Sequence, residues 1–293
     1  MTDLRFAIRQ LLKSPGFTFL TVLTLAIGIG MNTAIFSLMN DLFLRGLPFQ
    51  HPNRIVVIQA EAKDRNLLQL PMSVPRFWQY RDAQTVFSNF AADAGNGYIL
   101  TGIGDAVQLF GANVTANYFD LLGVKPIRGR TFLPNEEMGA DVALVTESFW
   151  KKRLGSDPYA VGRAITLNGV STTIVGIIPN MPVAWFGPNS EIFTAKPFQL
   201  AGLTKDRLMR GVSFMRAIGR IKPGVSFEQV NAQLPALQAS YREKYPENAD
   251  NSWSPVLLSA AETSTGNLRP AFFTLLAAVG AVLLIACSNV ANL

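Results

Sequence analysis

Two stretches without a charged side chain sit at opposite ends of this chain and constrain everything between them. No Asp, Glu, Lys or Arg occurs from residue 14 to residue 40, a run of 27, or from residue 270 to residue 293, a run of 24, in a chain of 293 residues. About 20 apolar residues in a helix cross a bilayer core, so both runs are expected to be transmembrane helices, at residues 16–44 and 270–293. The second run stops only where the sequence stops, and the chain is expected to be truncated inside or just after that span. The apolar part of a secretion signal is about 7 to 15 residues long and ends in a small-residue cleavage site. The first run is far longer and has no such ending before Asp41, so it reads as an uncleaved anchor. Composition agrees, because 49% of residues are hydrophobic and 16% charged, against about 25% charged in ordinary soluble domains. Of 26 basic and 20 acidic residues, 23 and 18 fall in residues 45–269, which read as a folded water-soluble domain.

Flanking charge sets the expected orientation. Arg5, Arg9 and Lys13 precede the first run against a single Asp3, and Lys and Arg accumulate on the cytoplasmic side. The N-terminus is therefore expected inside, with the middle domain outside. Leu4, Ile8, Leu11 and Leu12 recur at helical spacing, describing a cytoplasmic amphipathic helix at residues 1–15 lying along the interface. Ser14 and Pro15 suit the start of the first span. Within it, Ala26, Gly30 and Ala34 place small side chains on one face, and Ala277 and Ala281 repeat the feature in the second run. Such faces let helices approach closely in lipid. Together with Asn32, Asn289 and Asn292, whose amides need partners there, they point to a larger bundle.

The middle reads as mixed α and β. Strands are expected at residues 54–59, 107–114, 142–146, 164–167, 170–178, 214–221 and 255–259, with Asn168-Gly169 as a hairpin turn. Residues 73–90 look helical, and Ser226 with Gln229 fits a capping box that opens another helix. Pro235 inside that helix is expected to kink or break it. A β-rich segment followed by a helix occurs twice. This suggests two lobes, one of residues 48–111 plus 213–269 and an inserted one of residues 112–210. The fold class is an α+β extracytoplasmic two-lobed domain between two transmembrane helices, in a membrane protein.

Chemistry finds little purchase. Cys287 and His51 are the sole residues of their kinds, which excludes disulfide frameworks and multi-histidine metal sites within one chain. His51 beside Pro52 and Asn53 reads as a turn. Glu136 and Glu137 are adjacent on a loop, where carboxylates rarely converge on one substrate, and the basic run at residues 151–153 reads as a solvated face. No catalytic, metal or cofactor residue emerges, no phosphate-binding loop of the G-x-x-x-x-G-K-[ST] kind occurs, and an outward-facing domain meets no nucleic acid. Phe77, Trp78 and Tyr80 read as core. Trp185 and Phe186, in a Gly/Pro loop, read as an exposed tip that contacts a partner.

Several motifs carry a family resemblance. The opening, Asp3-Leu4-Arg5 through Ser14-Pro15-Gly16-Phe17 and then residues 23–37, resembles MacB-type (FtsX-like) ABC transporter permeases, in particular the orphan type without a fused ATPase. Asn117-Tyr118-Phe119-Asp120-Leu121-Leu122-Gly123-Val124, Gly155-Ser156-Asp157-Pro158, Val175-Gly176-Ile177-Ile178-Pro179 and Gly219-Arg220-Ile221-Lys222-Pro223-Gly224 resemble the MacB-like periplasmic core domain, assigned to residues 45–269. Leu284-Ile285-Ala286-Cys287-Ser288-Asn289 looks like the start of the FtsX-like permease domain. The resemblance implies a permease subunit in the bacterial inner membrane, a homo- or heterodimer working with a separate ABC ATPase that binds ATP. Hydrolysis would move the periplasmic domain for export or efflux, with a periplasmic adaptor and outer-membrane channel as further partners. The alternative it implies is a mechanotransmission or signalling subunit acting on an extracytoplasmic partner such as a cell-wall hydrolase.

Overall fold

In the computed structural model, which describes residues 15–39, 47–187, 189–265 and 268–291, the chain ends form one unit (Met1–Gly46 with Thr265–Leu293) and Leu47–Ser264 another. After α1 (Pro15–Met39) the order is β1 (Ile55–Ala62), β2 (Leu67–Leu70), β3 (Met72–Ser73), α2 (Val74–Ala83), β4 (Phe87–Thr101), β5 (Val107–Val114), α3 (Tyr118–Leu122) and β6 (Arg128–Gly129). There follow β7 (Val142–Thr146), α4 (Glu147–Arg153), β8 (Ala164–Leu167), β9 (Val170–Ile178), α5 (Val183–Phe186), β10 (Ser190–Thr194) and α6 (Lys205–Leu208). The last elements are β11 (Ser213–Ile221), α7 (Phe227–Lys244), β12 (Ser254–Ser259), α8 (Ala260–Thr265) and α9 (Leu268–Ala291).

Local chemistry explains many of these boundaries. Asn168 and Gly169 take φ of 50° and 80°, the left-handed pair that closes a two-residue hairpin, and Leu167 pairs with Val170 across it. Ser226 Oγ accepts from the Gln229 N–H at 3.2 Å while Gln229 Oε1 accepts from the Ser226 N–H at 2.8 Å, which closes the expected capping box. The helix it opens is not broken by Pro235; α7 runs on to Lys244. An interior proline costs a helix about 3 kcal/mol, and here Val230, Leu234, Leu237 and Tyr241 on its buried face offset that. The helix expected at residues 73–90 ends at Ala83, and the long strand β4 takes up its last residues.

All strands of the middle unit share one sheet, in the order β12-β1-β11-β4-β5-β10-β7-β9-β6, with β2 on β1, β3 on β11 and β8 bridging β4 and β9. β4 joins the halves. Its residues 87–93 pair with β11, and its residues 93–100 pair with β5. One face of the sheet carries a single core across both halves, including Ile55 and Ile218 from one and Val114, Leu144 and Phe193 from the other, covered by Tyr118, Phe119, Leu121 and Leu122 of α3. The opposite face carries two cores. One packs Phe77, Tyr80, Leu234 and Tyr241 of α2 and α7 on β1, β4 and β11, and the other packs Phe149 of α4 and Ile165 of β8 on β5, β7, β9 and β10. The segment 112–210, expected as an inserted lobe, has no core to itself: Tyr98, Leu100 and Leu109 complete its core on one face, its Leu208 joins the core under α2 and α7, and the other face is shared, so that Leu47–Ser264 forms one compact unit.

In the unit of the chain ends, α1 and α9 pack together. Gly28 is buried there, with the position of a β-carbon 3.2 Å from Leu283 Cδ1, and Val279 is buried on the partner helix. Ala26, Gly30, Ala34, Ala277 and Ala281 are exposed, off this contact. Among the described residues no helix is long and apolar enough to cross a membrane. Residues 1–14 of the expected amphipathic helix, residues 40–44 of the first expected span and residues 292–293 of the second lie outside the described residues.

Candidate functional site

A single acidic residue in an otherwise apolar stretch, Phe90-Ala91-Ala92-Asp93-Ala94, marks the position where β4 passes from β11 to β5, since Asp93 pairs with Arg216 on one side and Val114 on the other. The Asp93 carboxylate is nearly enclosed and holds an ion pair with Arg216, with Nε to Oδ1 at 2.9 Å and Nη2 to Oδ2 at 3.1 Å. This forked geometry is the strong form of a charge-assisted bond. The Tyr118 hydroxyl donates to Asp93 Oδ1 at 2.7 Å, and Arg216 Nη1 donates to the Trp185 carbonyl at 2.9 Å. Trp185 Nε1 donates to the Tyr118 hydroxyl at 2.9 Å, and the Arg216 guanidinium lies 4.4 Å over the Trp185 ring. Burial first, then the Asp93 charge, pushes the Tyr118 phenol well above its usual range. Burial works against the charge on Arg216, but Asp93 and Tyr118 outweigh it and raise its pKa. Residues from β4, β11, α3 and α5 therefore form one closed network at the junction of the two halves.

This placement corrects the expectation for Trp185. It is 3% exposed rather than a contact tip, because its indole N–H finds Tyr118, its ring takes Arg216 and Phe49 meets it edge-on at 5.4 Å. Phe186 is half-buried beside it, 5.0 Å from the Phe193 ring.

Between the two cores on the other face lies a cleft of about 230 Å³ with a polar floor. Asn113 Oδ1 accepts from the Tyr98 hydroxyl at 2.8 Å and from Thr194 Oγ1 at 2.7 Å. Burial pushes the Tyr98 phenol up to about 12. Beyond Gln199, a second cleft of about 410 Å³ lies between α2 and the segment around α6, with Trp78, Met138, Phe198, Leu200 and Met209 in its walls. Trp78 thus serves a surface as well as a core, whereas Phe77 and Tyr80 are fully buried as expected. The size and apolar lining are those of sites that take small molecules or inserted side chains.

Other residues singled out from the sequence do not converge. Glu136 binds Arg130 through two bonds of 2.7 and 2.9 Å, while Glu137 turns to Arg81 and to the Ala116 N–H. His51 stands exposed at φ 45° in a turn. Among the described residues no group of three or more His, Cys, Asp or Glu is placed to hold a metal. Sequence reasoning missed Asp93 and Arg216; the lone charge among small apolar residues was the available signal, because acidic side chains are rarely buried unpaired.

Residues 18–237, from within α1 to within α7, match the MacB-like periplasmic core domain. The chain belongs to this family. The MacB-like chain is also similar to solved structures of low identity, the first two of which share its fold. The periplasmic region of MacB from Actinobacillus actinomycetemcomitans is 12% identical, with a TM-score of 0.52 over 77% of this chain and 95% of that one. A domain of a putative permease protein from Porphyromonas gingivalis is 16% identical, with a TM-score of 0.53 over 72% and 92%. The extracellular domain of the noncanonic ABC-type transporter YknZ from Gram-positive bacteria is 12% identical, with a TM-score of 0.49 over 69% and 99%. None of the curated proteins compared matches the chain. The motif at residues 117–124 is α3 with its flanks, and its Tyr118 joins the network at Asp93.

Proposed function

We propose that the chain is the permease subunit of an ABC transporter of the MacB/FtsX type, anchored in the inner membrane by residues 16–44 and 270–293, with its N-terminus cytoplasmic and its MacB-like domain periplasmic. The observation that carries this reading is the match of residues 18–237 to the MacB-like periplasmic core domain in a chain with uncharged runs of 27 and 24 residues towards its two ends. Those runs include positions outside the described residues, and they supply the argument for the spans. A separate ABC ATPase would bind ATP, and a second permease subunit would complete a dimer. The exposed small residues Ala26, Gly30, Ala34, Ala277 and Ala281 offer surfaces for such neighbours in lipid. In this reading the chain performs no chemistry of its own.

The core shared across one whole face of the sheet favours a domain that transmits displacement as a body, which serves export or efflux through an adaptor and outer-membrane channel. It serves equally the alternative of switching an extracytoplasmic partner such as a cell-wall hydrolase. The test is topological: in a variant with Cys287→Ser and Tyr159→Cys, the cysteine at the highly exposed position 159 is expected to react with a membrane-impermeant maleimide once the outer membrane is permeabilised. Protection until the inner membrane is lysed refutes the reading.

A further inference from the structure

The strands that join the middle unit to the rest of the chain end side by side, since Val56 at the start of β1 pairs with Ser259 at the end of β12. The segment leading into β1 clings to the domain surface. Leu47 packs on the shared core, Phe49 is buried in it, and the Gln50 N–H donates to the Leu122 carbonyl at 3.2 Å. One peptide earlier, the Leu121 carbonyl accepts from Arg220 Nε at 2.8 Å and from Nη2 of the same side chain. Arg54 does the same to the Ile221 carbonyl, with Nε at 2.9 Å. Ile55 pairs with Arg220 in the ladder, so the two guanidiniums are neighbours, both half-buried.

Neither arginine has a carboxylate within 4.0 Å among the described residues. Two nearby acids are occupied elsewhere: Asp120 accepts from the Thr131 hydroxyl at 3.3 Å, and Glu262 closes a cap with Ser259 at 2.8 and 3.1 Å. Backbone carbonyls orient guanidiniums without neutralising them. Burial and then the charge on Arg54 lower the pKa of Arg220, consistent with two cations that lack an anion between them. The loop after α3 adds an exposed Lys125, four residues beyond Leu121, whereas Arg128 opens β6 at the far edge of the sheet with its guanidinium 5.3 Å over the Trp150 ring. A guanidinium fork matches phosphate oxygens.

We propose that Arg54 and Arg220, with Lys125 of the loop after α3, bind the phosphate of an anionic phospholipid headgroup at the membrane surface. This rests on the reading that residues 16–44 span the bilayer; only residues 45 and 46 then separate the span from Leu47, which lies at most about 10 Å from its end. The test uses the complete chain, incorporated into phosphatidylcholine nanodiscs or purified in detergent and titrated with short-chain phosphatidylglycerol, phosphatidylcholine or inorganic phosphate. Wild type is expected to prefer phosphatidylglycerol. Near an anionic surface each basic side chain is worth about fivefold, so the Arg54→Gln/Arg220→Gln variant is expected to lose about 25-fold in affinity for phosphatidylglycerol.

Arg54→Lys/Arg220→Lys, which keeps both charges, is expected to lose less than about fivefold. Lys125→Gln removes no bond to a backbone carbonyl and provides the measurement if the arginine variants do not fold; it is expected to lose about fivefold. Unchanged affinity in that variant or in Arg54→Gln/Arg220→Gln overturns the proposal. Binding of inorganic phosphate as tight as that of phosphatidylglycerol also overturns it, by showing a site for a free anion. A chain that does not incorporate into phosphatidylcholine nanodiscs refutes the spanning reading as well as the proposal, whereas incorporation without a difference between wild type and the glutamine variants refutes the proposal alone.

Discussion

Asp93→Asn isolates the charge at the junction of the two halves. The amide keeps the shape and an acceptor oxygen for the Tyr118 hydroxyl, but it leaves the Arg216 guanidinium, whose side chain is 21% exposed, without a carboxylate. Removing one partner of a buried pair costs about 3–5 kcal/mol, because the remaining charge stays desolvated. Arg216 retains the Trp185 carbonyl and the face of its ring, so the lower end of that range applies. About 3 kcal/mol in a domain of this size lowers the melting midpoint by about 6–12 °C. The assay is urea and thermal unfolding of the purified chain followed by tryptophan fluorescence, which reports locally because Trp185 is part of the network.

The matched control is Lys151→Gln, which breaks an exposed pair with Glu147 and is expected to cost less than about 1 kcal/mol. Arg216→Met in the Asp93→Asn background is expected to recover part of the loss, since replacing both charges with groups of similar volume removes the orphaned cation. If Asp93→Asn costs no more than Lys151→Gln, or if the double variant is no more stable than Asp93→Asn alone, the junction is not held by this ion pair and the reasoning fails.

Gly28→Leu is expected to separate α1 from α9, because a side chain there runs into Leu283; Gly30→Leu is expected to spare that pair, and cysteine cross-linking between the helices distinguishes the two. Arg130 holds the Glu136 carboxyl below its ordinary 4.5, so Glu136 adds stability that is complete above that value and lost as pH falls through its lowered pKa. The stability gap between wild type and Glu136→Gln is therefore expected to be present at pH 7 and to close below pH 4.5, as read from unfolding curves along an acid series. Burial raises Tyr98 and Tyr241 from 10 to about 12, so their contribution is full below pH 10 and lost as pH rises towards 12. Tyrosinate absorbance is expected to show both phenols ionising together with alkaline unfolding rather than before it.

How far the fold can be read from the residues depends on which force fixes each element. β5, β7, β8 and β9 have the bounds expected from alternating or continuous apolar runs, and the Asn168-Gly169 turn and the Ser226 cap are set by local backbone chemistry, so short windows contain the needed information. β4 is the opposite case. Phe87–Thr101 contains three alanines, two glycines, two asparagines and an aspartate, residues with little intrinsic preference for strands. It is extended because β11 and β5 supply partners along its two halves, and those partners lie far away in sequence. The same nonlocality hid the network at Asp93, whose members come from positions 93, 118, 185 and 216.

The hidden strand also explains why the union of the two halves was not legible. A β-rich segment followed by a helix can be seen twice in the sequence, and each half does bury its own helix, α7 in one and α4 in the other, on one face of the sheet. Continuity across the other face requires a strand long enough to pair on both sides, and a buried charge can sit at its midpoint only if an arginine from another strand meets it. Asp93 in an apolar strand is unfavourable by itself and favourable with Arg216, so the pair forms only when β11 and β5 both lie on β4. A register slip of one residue would turn Asp93 to the opposite face, among Phe90, Ala92 and Ala94 and away from Arg216. The ion pair thus penalises every alignment of the halves except the one that joins them into a single sheet.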